Sequence, residues 1–327
     1  RLLPDAYFGG LLEVDAGSRQ VNFFPITRKG AAFRTEYKVF LGSDDPWFRP
    51  LDACAAPDGS IFVADWYDAG VGGHAFRDQT TGRIYRVAPK GDRPKTVKAD
   101  FGSVAGLIEA LKSPNNATRD AAQRGLIARG DEATQALLTL IHLGTPEEAA
   151  RAVWTASRMP NVPVLASTAA EIIKHPDAFQ NGDPRLRVLA VRILGRDCRE
   201  NGTVEYKNPD ARKPAAALAN LDLLLTLVDD PDPAVRRELI LAFRNLPTPR
   251  VGAALRKLVA SWDGRDRWYL EALGLALDGR EAEYVTGLMD PGLFGESGDF
   301  ARDGRNDRVA LPPYFPVDRN EAFIAVD

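Results

Sequence analysis

The chain has 327 residues, of which 45% are hydrophobic and 27% charged, and its formal net charge is −3. This length accommodates two domains, and the composition is that of an ordinary globular protein. No segment carries the excess of Lys and Arg that binding to phosphates requires, so nucleic acid is not expected as a partner.

Short runs of β-forming residues, separated by turn residues, occupy residues 1–89. Their spacing of about ten residues is typical of four-stranded propeller blades, and together they make roughly two blades. Since propellers close with ~4–8 blades, two alone leave unpaired strand edges. We therefore expect upstream blades, from the same precursor or from a separate chain. The predicted strands are 11–14, 20–27, 32–35, 38–41, 51–55, 61–64 and 83–87.

The hydrophobic period changes from two to about 3.6 after residue 101, beyond a predicted solvated linker at 90–101. Pairs of helices of this length predict a HEAT-like α-solenoid over residues 102–290. Residues 291–327 are expected to form an extended, proline-containing tail. The predicted helices are 103–112, 117–129, 132–141, 147–157, 164–174, 185–194, 221–228, 234–245, 251–260, 267–277 and 281–289.

A repeated signature marks the second helix of several pairs, because a capping residue stands four positions before an arginine. The four instances are Asn115 with Arg119, Asp183 with Arg187, Asp232 with Arg236, and Asp263 with Arg267. Thr145, Pro146 and Glu148 form a separate helix start with the features of a capping box. A polar insertion between Cys198 and Lys213 is predicted to project as a loop.

A dense row of polar and aromatic residues follows the predicted strand 61–64 and continues to Asp78. Gly70, Gly72 and Gly73 exclude regular structure there, so the row is predicted to be a loop held by sheet at both ends. Loops fixed on a rigid sheet commonly carry binding and catalytic groups.

The residues around this loop resemble the closing blades of a propeller related to soluble glucose and sorbosone dehydrogenases. More narrowly, they resemble the planctomycete-type membrane-bound dehydrogenase family, in which the propeller is followed by HEAT repeats and often by a cytochrome c domain. The motifs that carry the resemblance are Trp47-x-Arg49-Pro50, Pro57-Asp58-Gly59, Ala64-Asp65-Trp66-Tyr67, Gly73-His74 and Gly82-Arg83-Ile84-Tyr85-Arg86-Val87. The resemblance implies a periplasmic or secreted oxidoreductase of sugars or aldoses that uses pyrroloquinoline quinone (PQQ).

His74 is the candidate catalytic base under this interpretation, because imidazole titrates near neutrality and accepts a proton from an alcohol. Arg49 and Arg77 are candidates to hold the carboxylates of the quinone through forked hydrogen bonds. Trp66 and Tyr67 are candidates to stack on the cofactor. Each has a structural alternative: a backbone-bonded histidine, arginines paired with carboxylates of the blade, and aromatic packing between blades.

Asp65, Asp68 and Asp78 offer carboxylate oxygens on one glycine-rich loop, which are ligands that Ca²⁺ prefers. The spacing is not that of an EF-hand, and Asp65 ends a strand, where an aspartate often only accepts backbone N–H groups. A calcium site and a structural role therefore both remain open. Cys54 and Cys198 lie outside any CxxCH motif, so this sequence contains no c-type haem attachment site.

Two functions from different classes follow. In the first, the chain is the C-terminal part of a PQQ-dependent oxidoreductase, and the solenoid is a spacer toward a cytochrome c domain. In the second, the propeller edge and the solenoid form a protein-interaction scaffold without turnover. No apolar run approaches the ~18–20 residues of a membrane span. Because the sequence starts at Arg1 inside predicted β structure, we expect it to be a fragment of a longer precursor.

Overall fold

The computed structural model describes residues 2–70, 80–95, 97–159, 162–201, 214–246 and 248–285. Antiparallel β structure fills the N-terminal part, and helices follow from residue 104 onward. The strands are β1 (Leu11–Asp15), β2 (Gln20–Phe24), β3 (Ile26–Lys29), β4 (Ala32–Thr35), β5 (Lys38–Gly42), β6 (Pro50–Ala55), β7 (Ile61–Asp65) and β8 (Arg83–Val87).

Two open three-stranded sheets, in the orders β1-β2-β5 and β6-β7-β8, share one apolar core. Val21 of the first sheet and Ile61 and Val63 of the second are its buried members, since strand side chains alternate between the two faces. The predicted strand 20–27 is two strands, because Pro25 lacks a backbone N–H and ends the ladder. The second of these, β3, leaves the sheet and, among the strands that the structure describes, pairs with β4 alone as a hairpin.

The helices are α1 (Val104–Leu111), α2 (Asn116–Arg129), α3 (Thr134–Leu143), α4 (Pro146–Ala156), α5 (Pro163–Ala166), α6 (Thr168–Lys174), α7 (Pro184–Asn201), α8 (Pro214–Leu225), α9 (Pro233–Phe243), α10 (Pro249–Ala260), α11 (Arg267–Leu277) and α12 (Glu281–Val285). The predicted pairing is confirmed for α1 with α2, α3 with α4 and α6 with α7, whereas α8 packs mainly on α7, and α10 on α9, instead of on the helix that follows each in the chain. Helices α2, α4, α7, α9 and α11 pack on one another in sequence. The predicted fold class, β sheets followed by a HEAT-like α-solenoid, is therefore confirmed. The expected four-stranded blades are three-stranded sheets among the described residues. Within the described ranges, no helix is long and apolar enough to cross a bilayer.

Three of the predicted helices have different bounds. The helix predicted at 221–228 is α8, which begins at Pro214 and ends at Leu225. The helix predicted at 164–174 is broken, because Ser167 Oγ and Thr168 Oγ1 donate to the Val164 carbonyl, at 3.1 and 3.4 Å, in competition with the backbone. Helix α7 continues past Cys198 to Asn201, so the predicted insertion begins later than expected. Cys198 is buried, and its Sγ lies 3.4 Å from the Ala217 carbonyl oxygen. Residues 202–213 of that insertion lie outside the described residues.

The cap-to-arginine signature has a structural basis. Arg236 Nη1 donates to the carbonyl oxygens of Asp230 and Pro231, directly before the helix that it belongs to, at 2.5 and 3.2 Å. Arg119 makes the equivalent bonds to Ser113 and Pro114, at 2.8 and 2.9 Å. Each arginine thus closes the turn between the two helices of its pair, where the carbonyls would otherwise lack partners.

The last instance of the signature was assigned to the wrong residue. Asp266, and not Asp263, is the N-cap of α11, and its Oδ1 accepts the N–H groups of Trp268 and Tyr269 at 3.0 and 3.1 Å. Asp263 instead accepts from the N–H groups of Arg265 and Asp266, at 2.9 and 2.8 Å, in the preceding turn. The predicted capping box at Thr145 and Glu148 is present.

The capping residues also bond the β part of the chain to the solenoid, within the compact unit 1–281. Arg28 on β3 donates to both carboxylate oxygens of Asp232, at 2.9 and 2.7 Å. The backbone N–H of Ala31 donates to Asp266 Oδ2 at 2.6 Å, and Asn115 Nδ2 donates to the Ala55 carbonyl at 2.6 Å. The N-cap residues of α2, α9 and α11 therefore each cap a helix and also form a hydrogen bond to the β part of the chain.

Candidate functional site in the loop after β7

The loop that follows β7 is organised by the carboxylate of Asp65, which is only 3% exposed. Its Oδ1 accepts the backbone N–H groups of Arg49 and Tyr67 at 2.8 and 2.9 Å. Its Oδ2 accepts the Tyr85 hydroxyl at 3.4 Å. A buried carboxylate needs such donors, because an unpaired one would lose its hydration without compensation. These bonds correspond to the structural alternative for Asp65, and they leave Oδ2 as its less engaged oxygen.

Tyr67 has φ of +49°, the left-handed region that non-glycine residues rarely adopt. Its ring lies 5.7 Å from the Trp47 ring, centroid to centroid, and the Arg83 guanidinium carbon lies 3.8 Å from its centroid. Hydrogen bonds to Tyr85 and Tyr67 raise the pKa of Arg83 above its ordinary value, so this guanidinium stays charged. Left-handed residues of this kind persist only where the surroundings hold them, and they concentrate at functional sites.

The side chain of Arg49 spans the base of the loop. Nη1 donates to the Phe48 carbonyl at 2.8 Å and Nη2 to the Ala69 carbonyl at 3.3 Å. Its buried Nε has no hydrogen-bond partner within the described part of the chain. The Arg49 carbonyl in turn accepts the Trp66 N–H at 2.9 Å. Arg49 therefore fixes the loop through its two terminal nitrogens, while its Nε is a buried donor without an acceptor in the described part of the chain.

Asp68 and Trp66 form the solvent-facing part of the loop. Asp68 Oδ2 accepts the indole N–H of Trp66 at 3.3 Å, and Oδ1 accepts the Gly70 N–H at 3.2 Å. Trp66 is 52% exposed, so its ring face is accessible to a planar or apolar group. In the described part of this loop, the indole of Trp66 and the carboxylate of Asp68 are therefore the groups that a ligand could contact from solvent.

His74, Arg77 and Asp78 lie outside the described residues. The catalytic base, the second cofactor-binding arginine and the third calcium ligand therefore stay predictions. Among the residues that are described, no three His, Cys, Asp or Glu side chains converge as a metal site would require. The structure brings together Asp65, Tyr67 and Arg49, and sets Trp66 and Asp68 beside them.

Two residues of this cluster were missed from the sequence, namely Trp47 and Tyr85. Strand alternation was the available signal for Tyr85, since it places Tyr85 and Arg83 on one face of β8 and Ile84 on the other. Because Asp65 is directly opposite Arg83 in the ladder, that face is also the one next to Asp65. Trp47 contributes through long-range contacts that no local pattern indicates.

A second charged cluster stabilises the opposite end of the same sheet. Arg86 Nη2 lies 2.8 Å from Asp58 Oδ2 and 2.7 Å from Asp92 Oδ2. Bonds from Ser60 and then from Arg86 hold the pKa of Asp58 well below its usual range, and the two carboxylates raise the pKa of Arg86. This cluster ties the β6–β7 turn to the residues that follow β8, so its role is structural.

Two family models match separate stretches of the chain. A family model described as HEAT repeats matches residues 171–274, and one described as a domain of unknown function (DUF7133) matches residues 1–91. No curated protein and no solved structure matches the chain. Residues 171–274 are therefore similar to HEAT repeats, in agreement with the stacked helices of this part of the chain. The β part is similar to a family without an assigned activity.

Proposed function

We propose that the chain is a protein-interaction scaffold, in which the sheets and the HEAT solenoid present one continuous surface to partner proteins. The observation that carries the proposal is the shared use of the N-caps, since Asn115, Asp232 and Asp266 each bond both parts of the chain. A solenoid held in this way keeps its orientation to the sheets, and a preorganised surface loses less entropy on binding.

The hydrogen bonds inside the loop after β7 also support a scaffold. Asp65 Oδ1 and both terminal nitrogens of Arg49 are engaged by the backbone. These two residues thus perform structural work that does not require a substrate. The open sheets provide further binding capacity, because unpaired strand edges accept additional strands. Upstream blades, on the same precursor or on a separate chain, are the partner proposed for these edges.

Affinity capture tests the scaffold function. The tagged chain, used as bait in extract from its own cells, should retain a partner chain in a fixed stoichiometric ratio by quantitative mass spectrometry. Bait carrying Asp266→Ala, which removes the bond to Ala31, should retain less of it. A monodisperse monomer without a stoichiometric partner would count decisively against the proposal.

A second candidate function is the oxidoreductase, which the left-handed Tyr67, the Arg83–Tyr67 stack and the exposed Trp66 favour. In this proposal His74 is the base, Arg49 and Arg77 bind the carboxylates of PQQ, and Asp65, Asp68 and Asp78 bind Ca²⁺. The unpartnered Nε of Arg49 fits an anionic cofactor. The two N–H bonds at Asp65 Oδ1 fit a metal less well, because they occupy one of its oxygens. A periplasmic or secreted location and a cytochrome c partner belong to this candidate.

Dye reduction tests this candidate. The intact precursor, reconstituted with PQQ and Ca²⁺, should reduce a dye when an aldose is added, and His74→Ala should abolish turnover without changing the melting temperature. Absence of turnover across a broad panel of sugars would eliminate the oxidoreductase.

A further inference from the structure

Arginines from three successive repeats meet on one face of the solenoid. We call this the arginine face and define it by Trp154, Arg158, Arg192, Arg196, Arg199 and Arg237. The Arg158 guanidinium carbon lies 4.2 Å from the centroid of the Trp154 ring, and that of Arg196 lies 5.7 Å from it. Since Trp154 belongs to α4 and Arg196 to α7, these contacts join two repeats around one aromatic ring.

The same face continues onto α9. Arg192 on α7 makes two bonds to the buried carboxylate of Glu238, with Nε to Oε1 at 2.9 Å and Nη2 to Oε2 at 3.1 Å. Arg237 lies 3.8 Å from the same carboxylate, so two guanidiniums share a single negative charge. Arg199 Nη1 donates to the Ala242 carbonyl at 3.2 Å. The face is therefore continuous across α4, α7 and α9.

The charge of this region is opposite to that of the chain. Residues 146–158, 183–201 and 230–244 contain ten arginines and eight carboxylates, a small positive excess, whereas the whole chain has a formal net charge of −3. The side chains of Arg192 and Arg196 are 48% and 36% exposed. Arg192 is already paired with Glu238, and Arg196 lies 3.9 Å from the exposed carboxylate of Glu200, so an acidic ligand would share or replace these carboxylates. A positive surface on a weakly acidic protein attracts acidic partners and orients them as they approach.

We propose that the arginine face binds an acidic segment of a partner protein. This inference rests on the scaffold function and specifies the partner's chemistry. Guanidinium groups match carboxylates through two parallel hydrogen bonds, and the Trp154 ring offers an apolar contact between the charges. A nucleic acid is the competing anionic ligand, and its relative affinity is one outcome of the experiment below.

Fluorescence anisotropy with a labelled decaglutamate peptide tests the proposal on the full chain. Arg158→Gln/Arg196→Gln should weaken binding by about tenfold, since each tenfold step corresponds to ~1.4 kcal/mol and two charge-assisted contacts are lost. The control, Arg250→Gln/Arg256→Gln on α10, removes the same charge from the other row of helices and should change binding less than about twofold. Equal losses in both variants would show that only net charge matters, and would overturn the proposal.

A lysine variant tests whether the planar guanidinium group matters, and a nucleic acid ligand tests which class of anion the face prefers. Arg158→Lys/Arg196→Lys keeps the charge but not the planar guanidinium, and should bind with intermediate affinity. An oligothymidylate of equal charge should bind more weakly than decaglutamate, and the reverse order would assign the face to nucleic acid. If the double glutamine variant melts below the wild type, the single change Arg196→Gln replaces it, with a loss of about threefold expected.

Capture experiments keep this inference distinct from the scaffold function. If the wild-type chain captures no partner, the scaffold function itself fails. If wild type and Arg158→Gln/Arg196→Gln capture the same partner equally, the scaffold survives and the arginine face is not its acidic-segment site. Capture that is lost only in this variant supports both.

Discussion

Replacing Arg187 by methionine should destabilise the solenoid strongly. Arg187 Nε and Nη2 donate to the two oxygens of Asp230 at 2.8 and 3.1 Å, and Nη1 donates to the Gly182 carbonyl at 2.7 Å. The two side chains are only 12% and 4% exposed. Methionine fills a similar volume but leaves Asp230 charged and buried, with the Asp232 N–H still donating to it at 2.9 Å. Removing one partner of a buried ion pair costs about 3–5 kcal/mol.

Urea unfolding followed by far-UV circular dichroism measures this loss through the transition midpoint. The control is Arg124→Met in the surface pair with Asp120, whose side chains are 68% and 56% exposed, and it should cost no more than about 0.5 kcal/mol. Arg187→Met combined with Asp230→Leu should recover most of the stability, because no buried charge is left unpaired. A loss of less than about 1 kcal/mol for Arg187→Met would show that water reaches Asp230, and would refute the reasoning.

Three other predictions concern the sheets and their contact with the solenoid. Gly30→Ala should raise amide hydrogen exchange in the β3–β4 hairpin, because Gly30 has φ of +56° and an alanine Cβ there would lie 2.2 Å from Asp266 Oδ2. Unchanged exchange would contradict the contact between this hairpin and the N-cap of α11. Asp58 has a depressed pKa, so its stabilising contribution is present above its unfolded pKa of about 3.9 and is lost as the pH falls below that value. Ser60→Ala should raise this pKa and make the acid-side loss of stability shallower in urea midpoints measured against pH; an identical slope would contradict the assignment. Asp65→Ala should cost about 1–3 kcal/mol, because it leaves buried N–H groups unpaired, whereas Asp65→Asn, which keeps an acceptor, should cost less; thermal melts compare them.

The local features of the fold were predictable from the sequence. The Pro57-Asp58-Gly59 turn, the Thr145 cap and the strands β4 and β8 all depend on neighbouring residues, and local chemistry determines them. The exit of β3 from the sheet after Pro25 was missed, although a proline inside a predicted strand was a signal against continuity.

The features that join distant residues were not predictable in the same way. Two aspartates three residues apart, Asp263 and Asp266, were equally suitable caps for α11, and no local pattern indicates that Ala31 bonds to the second. The arginine face also has no local signature, because Trp154 and Arg196 lie on different helices and meet only when the repeats stack.

In the candidate site, too, the features set by neighbouring residues were predictable and those that join distant residues were not. The strand-to-loop transition at Asp65 was predicted, and a backbone-accepting role for this residue was one of the two alternatives from the sequence. The donor that supports this role is the Arg49 N–H, which lies sixteen residues earlier in the chain and has no local signal. The calcium-ligand alternative stays a prediction. The left-handed conformation of Tyr67 has no sequence signal, since tyrosine does not favour it.

Affinity capture with the wild-type chain and with Arg158→Gln/Arg196→Gln, quantified side by side by mass spectrometry, tests the scaffold most directly. A partner chain should be retained by the wild type at a fixed ratio and depleted about tenfold on the variant, in proportion to the loss of affinity. A wild-type chain that remains a monomer without a partner, together with dye reduction by the PQQ-reconstituted precursor, would contradict the scaffold and favour the oxidoreductase.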